Sequence, residues 1–170
     1  MSCSKWLFQQ PNDIFVETGS GSGGGIDNAL KYGFKEIHSI EINKQLYQYC
    51  LRKYKGNIKV NLYCGDSIEI LPKILAKIDK KTTFLLDAHV MDVSTLHGKI
   101  ICPVLEEIKM IITHAQSLKI KHSILVDDVK FFNGKVKAFG CIRVEDIKDV
   151  VDSIDSTYAF NVGRKSIWVI

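Results

Sequence analysis

The chain has 170 residues, enough for one domain around a single core spanning 1–170. Hydrophobic residues make up 46% and charged residues 25%, the balance of a soluble globular protein. The net charge of +4 is carried almost wholly by lysine, with Arg52, Arg143 and Arg164 as the only arginines; a weak basic excess poor in the usual reader of phosphate and guanine argues against nucleic acid as a partner.

Strand-like and helix-like segments alternate from end to end. Asp13–Glu17 reads as a short strand and leads into Thr18-Gly19-Ser20-Gly21-Ser22-Gly23-Gly24-Gly25. Gly24–Tyr32 reads as a helix closed by Gly33, and Glu36–Glu41 as a second strand that again ends in an acid. Lys44–Tyr54 is a predicted helix and Ile58–Tyr63 a third strand, followed by Gly65-Asp66-Ser67. A helix starts near Ser67 and runs to Ile78, its first turns made uncertain by Pro72. Thr82–Leu86 is an apolar strand ending at Asp87, and a loop runs on to Cys102. Pro103–Gln116 is a helix with proline in its first turn. Ser123–Val126 is a strand ending in Asp127-Asp128, and Val144–Ser153 is a helix. Tyr158–Val162 and Ser166–Ile170 read as an antiparallel hairpin around Gly163-Arg164-Lys165.

This alternation, with short apolar strands, predicts an α/β fold around a mostly parallel sheet. Ligands of such sheets bind at the carboxyl ends of the strands. Glu17, Glu41, Asp66, Asp87 and Asp127-Asp128 all fall at those ends, a placement that stability alone does not require.

The five cysteines show no C-x-x-C pair, which speaks for reduced thiols in a cytoplasmic setting and against a zinc or disulfide framework. No signal peptide is visible after Met1, and no apolar run approaches the roughly 20 residues that cross a bilayer, so neither membrane nor secretion is expected.

The glycine pattern fits a nucleotide-type cofactor of more than one kind, since Gly24 also completes G-x-G-x-x-G. Glu17 favours a cationic ligand, because a carboxylate at the mouth of the loop repels a pyrophosphate and attracts a sulfonium with its ammonium. Glu41 is placed to take a ribose diol, and Asp66-Ser67 an adenine edge, with Ser67 also suited to cap a helix.

Glu17-Thr-Gly-Ser-Gly-Ser-Gly23, Glu41, Gly65-Asp66-Ser67 and Leu86-Asp87-Ala88-His89 together resemble the successive motifs of the class I S-adenosylmethionine-dependent methyltransferases. The resemblance covers nearly the whole chain. It implies a Rossmann-like, doubly wound, seven-stranded sheet with an antiparallel C-terminal hairpin, and a methyltransferase binding S-adenosylmethionine. Implied cofactor contacts are Glu17, Thr18, Gly19, Ser20, Gly21 and Gly23 in the first turn. Glu41, Ile42, Asp66, Ser67 and Asp87 follow at the later strand ends.

A narrower resemblance, to the metal-dependent sugar O-methyltransferases of the macrocin type, implies a magnesium ion held by Asp87, Asp127 and Asp128, a donor set suited to a hard cation. His89, beside Asp87, is the candidate general base. His97 and Asp92 are weaker candidates in the same loop. His38 reads as a structural histidine inside a strand, and His114 and His122 as exposed.

Asp87 is followed by Ala-His-Val rather than by Pro-Pro-Tyr, which argues against N-methylation of a base. The acceptor is then expected to be a small-molecule or sugar hydroxyl. With only a dozen residues before the first strand, the acceptor side is shaped by the Ala88–Cys102 loop and by Val129–Cys141, where Phe131, Phe132 and Gly134 read equally as a mobile apolar flap or as core. A second copy in a homodimer is another way to close it. Two other readings stay open: an NAD(P)-binding oxidoreductase, and a non-catalytic module that keeps the nucleoside pocket.

Overall fold

The computed structural model describes residues 12–89 and 98–170. All five residues of β1 (Ile14–Thr18) are buried, as befits a central strand covered on both faces. Around it stand β2 (Glu36–Glu41), β3 (Val60–Cys64), β4 (Thr82–Leu86), β5 (Ser123–Val126), β6 (Phe160–Val162) and β7 (Ile167–Val169), in the order β3-β2-β1-β4-β5-β7-β6. The pairs among β1 to β5 are parallel, whereas β7 runs antiparallel to both β5 and β6. The sheet is therefore doubly wound with a C-terminal antiparallel hairpin, as the alternation of segments predicts.

The helices are α1 (Gly24–Lys31), α2 (Lys44–Lys53), α3 (Ser67–Leu75), α4 (Val104–Leu118) and α5 (Val144–Asp155). α1 and α2 cover one face, burying Ile26, Ala29 and Cys50 against Phe15, Ile37 and Leu125. The other face is larger. There Leu71, Ile74, Ile108, Ile111, Ile147 and Val151 pack on Val16, Phe84, Leu86 and Val126.

Several boundaries moved from the sequence expectation. β1 ends at Thr18 rather than Glu17, and β3 starts at Val60 because Ile58 stands 97% exposed in the turn before it. Asp66, not Ser67, caps α3, its Oδ1 accepting the Ile68 N–H at 3.0 Å. The Val129–Cys141 segment settles the choice left open between flap and core. It makes two short 3-10 turns, Val129–Phe131 and Lys137–Phe139, and buries Phe132 and Phe139 with their rings 5.1 Å apart.

His122 is fully buried rather than exposed. Its Nδ1 accepts the Thr82 N–H at 3.2 Å, so its Nε2 carries the proton and faces His114 Nδ1 at 3.1 Å. His38 is structural, placed between Tyr63 and Glu36.

Strand register decides which acids reach the rim. Thr18, Ile40, Tyr63, Leu86 and Val126 form one transverse row. Glu41, Asp87 and Asp127 lie one residue beyond that row, and Glu17 lies one residue inside it.

Candidate active site

The turn after β1 passes so close to the end of β4 that a Cβ on Gly19 would lie 2.3 Å from the Asp87 carbonyl oxygen. Gly19 also has φ 85°, a region that glycine enters without steric cost. The turn is stitched down on both sides. Gly19 N and Ser20 N donate to Ile40 O at 2.9 and 3.1 Å, and Gly21 N donates to Glu41 Oε2 at 2.8 Å. From α2 and its C-terminal cap, Lys53 Nζ donates to Ser22 O at 3.0 Å and Tyr54 Oη to Gly23 O at 2.7 Å.

Glu17 sits behind this turn rather than at its mouth. Its side chain shares a row with Ser39, whose hydroxyl donates to Glu17 Oε1 at 2.6 Å and also touches Ser20. A Cβ on Gly25 would meet Glu17 Oε2 at 1.8 Å, so the carboxyl lies directly under the start of α1. Burial pushes its pKa up to about 8, with Asp87 and Glu41 adding to the rise. At neutral pH the group is mainly the uncharged acid. The sequence expectation of a carboxylate facing a cation therefore meets a different geometry.

A cleft of about 410 Å³ opens along the rim. Gly19, Gly21 and Ile40 form its floor, and Glu41, Ile42, Asp66, Ser67 and Asp87 stand along it, as the sequence proposes. Thr18, Ser20 and Gly23 are not among its lining residues, nor is Glu17. Glu41 Oε1 accepts the Asn43 N–H at 2.8 Å, so its carboxyl is held at both oxygens. Asp66 Oδ2 accepts the Lys99 N–H at 2.8 Å, pinning the returning chain beside α3. Sequence reading missed the wall this makes: Ile100, Ile101 and Pro103, facing Leu46 of α2.

At the far end of the cleft three side chains converge. His89 Nε2 lies 3.3 Å from Asp128 Oδ2 and 3.4 Å from Asp87 Oδ1. The His89 side chain is only 7% exposed, against 40% for Asp87 and 38% for Asp128, so the two carboxyls face the cleft and the imidazole backs them. Phe139 holds the imidazole from behind, ring centroids 4.1 Å apart. Burial lowers the His89 pKa, against the pull of Asp128. Burial and then the charges of Asp127 and Asp128 push Asp87 up to about 7.

Asp127 does not join them. Its Oδ1 accepts the Ser166 hydroxyl and the Asp128 N–H, both at 2.8 Å. The metal trio implied by resemblance thus meets the structure in two of its three members. Ligand atoms of Asp87, His89 and Asp128 lie within 4.8 Å of one another, an arrangement open to a divalent ion with His89 in the place expected for Asp127. Asp92 and His97 lie outside the described residues.

The strand order, the glycine turn after β1 and the cleft over it define the fold of the class I S-adenosylmethionine-dependent methyltransferases. Solved structures agree at the level of fold. TomG of Streptomyces achromogenes, an O-methyltransferase of tomaymycin synthesis solved with S-adenosylmethionine, superposes with TM-score 0.61 over 98% of this chain and 77% of its own, at 15% identity. A proposed rRNA methylase of Clostridium thermocellum gives 0.64 over 98% and 92%, at 14% identity. Among curated proteins, ribosomal RNA small subunit methyltransferase A of Prochlorococcus marinus (strain MIT 9301) is 36% identical over 72 residues, 42% of this chain. That match spans a quarter of the relative's length. No family model matches the chain.

Proposed function

We propose that the protein is an S-adenosylmethionine-dependent methyltransferase acting on a hydroxyl of a small molecule or sugar. The observation that carries this reading is the position of the Asp87–His89–Asp128 trio. It stands at the end of the same cleft whose floor is the glycine turn and whose side holds Glu41. The cofactor lies along β1 to β3, with the ribose at Glu41, and the acceptor enters over Asp87.

Transfer is an in-line displacement: the S–CH3 bond breaks as the O–CH3 bond forms, and S-adenosylhomocysteine leaves. The chain's task is to align the acceptor and take its proton. Asp87, with a pKa near 7 and an open face, is the proton acceptor; His89 stands behind it, hydrogen-bonded to Asp128. A divalent ion held by Asp87, His89 and Asp128 would supply Lewis acidity that makes the acceptor hydroxyl easier to ionise, and Asp87 would then be its ligand in place of the proton acceptor.

The ribosomal RNA methyltransferase similarity supports a second reading, transfer to RNA. Arginine scarcity and the Asp87-Ala88-His89 sequence favour the first.

Calorimetric titration with S-adenosylmethionine, S-adenosylhomocysteine and NAD tests the cofactor. Binding of the first two and not of NAD is expected; the reverse overturns the proposal. Radiolabelled methyl transfer to hydroxyl acceptors and to RNA separates the two acceptor classes, and binding without transfer to either leaves a non-catalytic module.

A further inference from the structure

The connections that lead from a helix into the next parallel strand fall at the end of the sheet opposite the cleft. Four of them here, residues 32–35, 54–59, 76–81 and 119–122, hold one lysine, two, three and two in turn, against a single acid, Asp79. None of them holds an arginine, and all of these lysines are exposed.

Strand pairing sets them side by side. Ile14 pairs with Glu36 and with Thr82, Ile37 with Val60 and Thr83 with Ser123. The residues just before the strand starts are therefore Lys59, Lys35, Asp13, Lys81 and His122, in the order β3-β2-β1-β4-β5. At a strand spacing of roughly 4.8 Å that row spans about 20 Å. Asp13 offsets Lys35, pairing with it at 2.9 Å, and Lys121 Nζ lies 5.1 Å from the centre of the Tyr158 ring. Among the described residues Lys55, Lys59, Lys80 and Lys81 form no ion pair.

Ile58 stands in the same end, between Lys55 and Lys59 in sequence, and is 97% exposed. A single apolar side chain in water is ordinary by itself. Here its openness is exceptional: the next most exposed large apolar side chain among the described residues is Val162, at 55%. An apolar tip flanked by lysines matches a charged lipid surface, where ammonium groups collect at the headgroup phosphates and the tip enters the layer beneath them. Nucleic acid, with the same charge, is met instead by arginine forks and stacked aromatic rings. These connections have no arginine, and Tyr32 is their one exposed aromatic residue. The cleft is lined by Glu41, Asp66, Asp87 and Asp128 and by no lysine or arginine.

We propose that the end of the sheet opposite the cleft is a peripheral docking surface for an anionic lipid layer, with Ile58 as its apolar tip and Lys55, Lys59, Lys80 and Lys81 as its charges. Docking of this kind needs no membrane-spanning run. The cleft then faces away from the layer, toward acceptors in solution. The proposal is independent of the reaction assigned to the cleft.

Co-sedimentation with vesicles tests it, using phosphatidylcholine alone and phosphatidylcholine mixed with phosphatidylglycerol. The wild type should bind the mixed vesicles at least tenfold more tightly, and high salt should remove the preference. Lys55→Gln, Lys59→Gln, Lys80→Gln and Lys81→Gln together should weaken binding at least tenfold. Lys130→Gln, Lys135→Gln, Lys137→Gln and Lys165→Gln together remove as much charge from the other end of β5 and β7 and should stay within threefold of wild type. Ile58→Ser alters no charge and should weaken binding at least threefold. Every substituted side chain is exposed, and an unchanged melting temperature confirms that each variant is folded. Equal binding to both kinds of vesicle overturns the proposal, as does an equal loss from the two sets of four, which would be an effect of net charge alone. A single-stranded RNA oligonucleotide that binds the wild type more tightly than the mixed vesicles do, that the first set of four releases and that Ile58→Ser retains, assigns this end to nucleic acid and overturns the proposal as well.

Discussion

His89 Nε2 lies 3.3 Å from Asp128 Oδ2, joining the ends of β4 and β5 across 39 positions of sequence. Neither residue would be there on helix or strand periodicity alone. Asp128 takes φ 57°, uncommon for a side chain other than glycine, and its N–H is returned to Asp127 Oδ1. That local twist points Asp128 at His89 and leaves Asp127 with Ser166.

The twist divides the roles of the paired aspartates. Asp128→Asn should abolish manganese or magnesium binding in a calorimetric titration and leave thermal stability near wild type. Asp127→Ala should keep the ion response but lower stability by about 1.5–3 kcal/mol, the range for a hydrogen bond to a charged group. Equal effects of the two on ion binding would return Asp127 to the trio.

The Asp87 carboxyl should titrate with a midpoint near pH 7 in the free protein, followed by its 13C resonance. Asp128→Asn removes a like charge and should lower that midpoint. A value in the ordinary aspartate range near 4 would show that the carboxyl is better solvated than its burial implies.

For Glu41→Ala, cofactor affinity should fall by about 1.5–3 kcal/mol. The loss has two sources, the ribose bonds and the release of the Gly21 N–H that Glu41 holds. Titration with S-adenosylhomocysteine measures it, and no change would displace the ribose from the end of β2.

Glu17 makes stability fall with rising pH. Its folded pKa of about 8 lies above the ordinary 4.5, so its contribution is complete below pH 4.5 and is lost as pH rises through 8. Glu17→Gln cannot ionise. Its melting temperature relative to wild type should therefore climb from pH 6 to pH 9; a constant difference would mean Glu17 is charged throughout.

His122 acts in the opposite direction. Burial and His114 push its pKa down to about 4 from 6.5. The folded state resists a proton that the unfolded chain accepts, so this contribution is present above pH 6.5 and is lost as pH falls toward 4. The shift corresponds to about 3 kcal/mol. Urea unfolding at pH 7 and pH 4.5 should show a loss of that order, and His122→Gln should remove most of it.

Segment types and their order were legible because apolar runs and glycine turns are local signals. The ends of β2, β4 and β5 were read correctly to the residue, since an acid closes each strand: Glu41 itself, Asp87 after Leu86 and Asp127 after Val126. Glu41 and Asp87 reached the cleft as expected because both lie one step past the row that ends the sheet. Ile100 and Ile101 escaped notice because nothing local marks a loop as a wall.

By itself the sequence determined the α/β alternation, the glycine turn and the acids near the strand ends. These follow from residue chemistry over a few positions. Only the tertiary structure decided which acids act together. A two-residue difference in position along the paired strands puts Glu17 under α1 and Asp87 in the cleft. The left-handed turn at Asp128 selects it over Asp127 as the neighbour of His89. Side chains alternate faces along a strand and reverse at such a turn, so register and backbone twist, which depend on distant partners, set what each acid can meet.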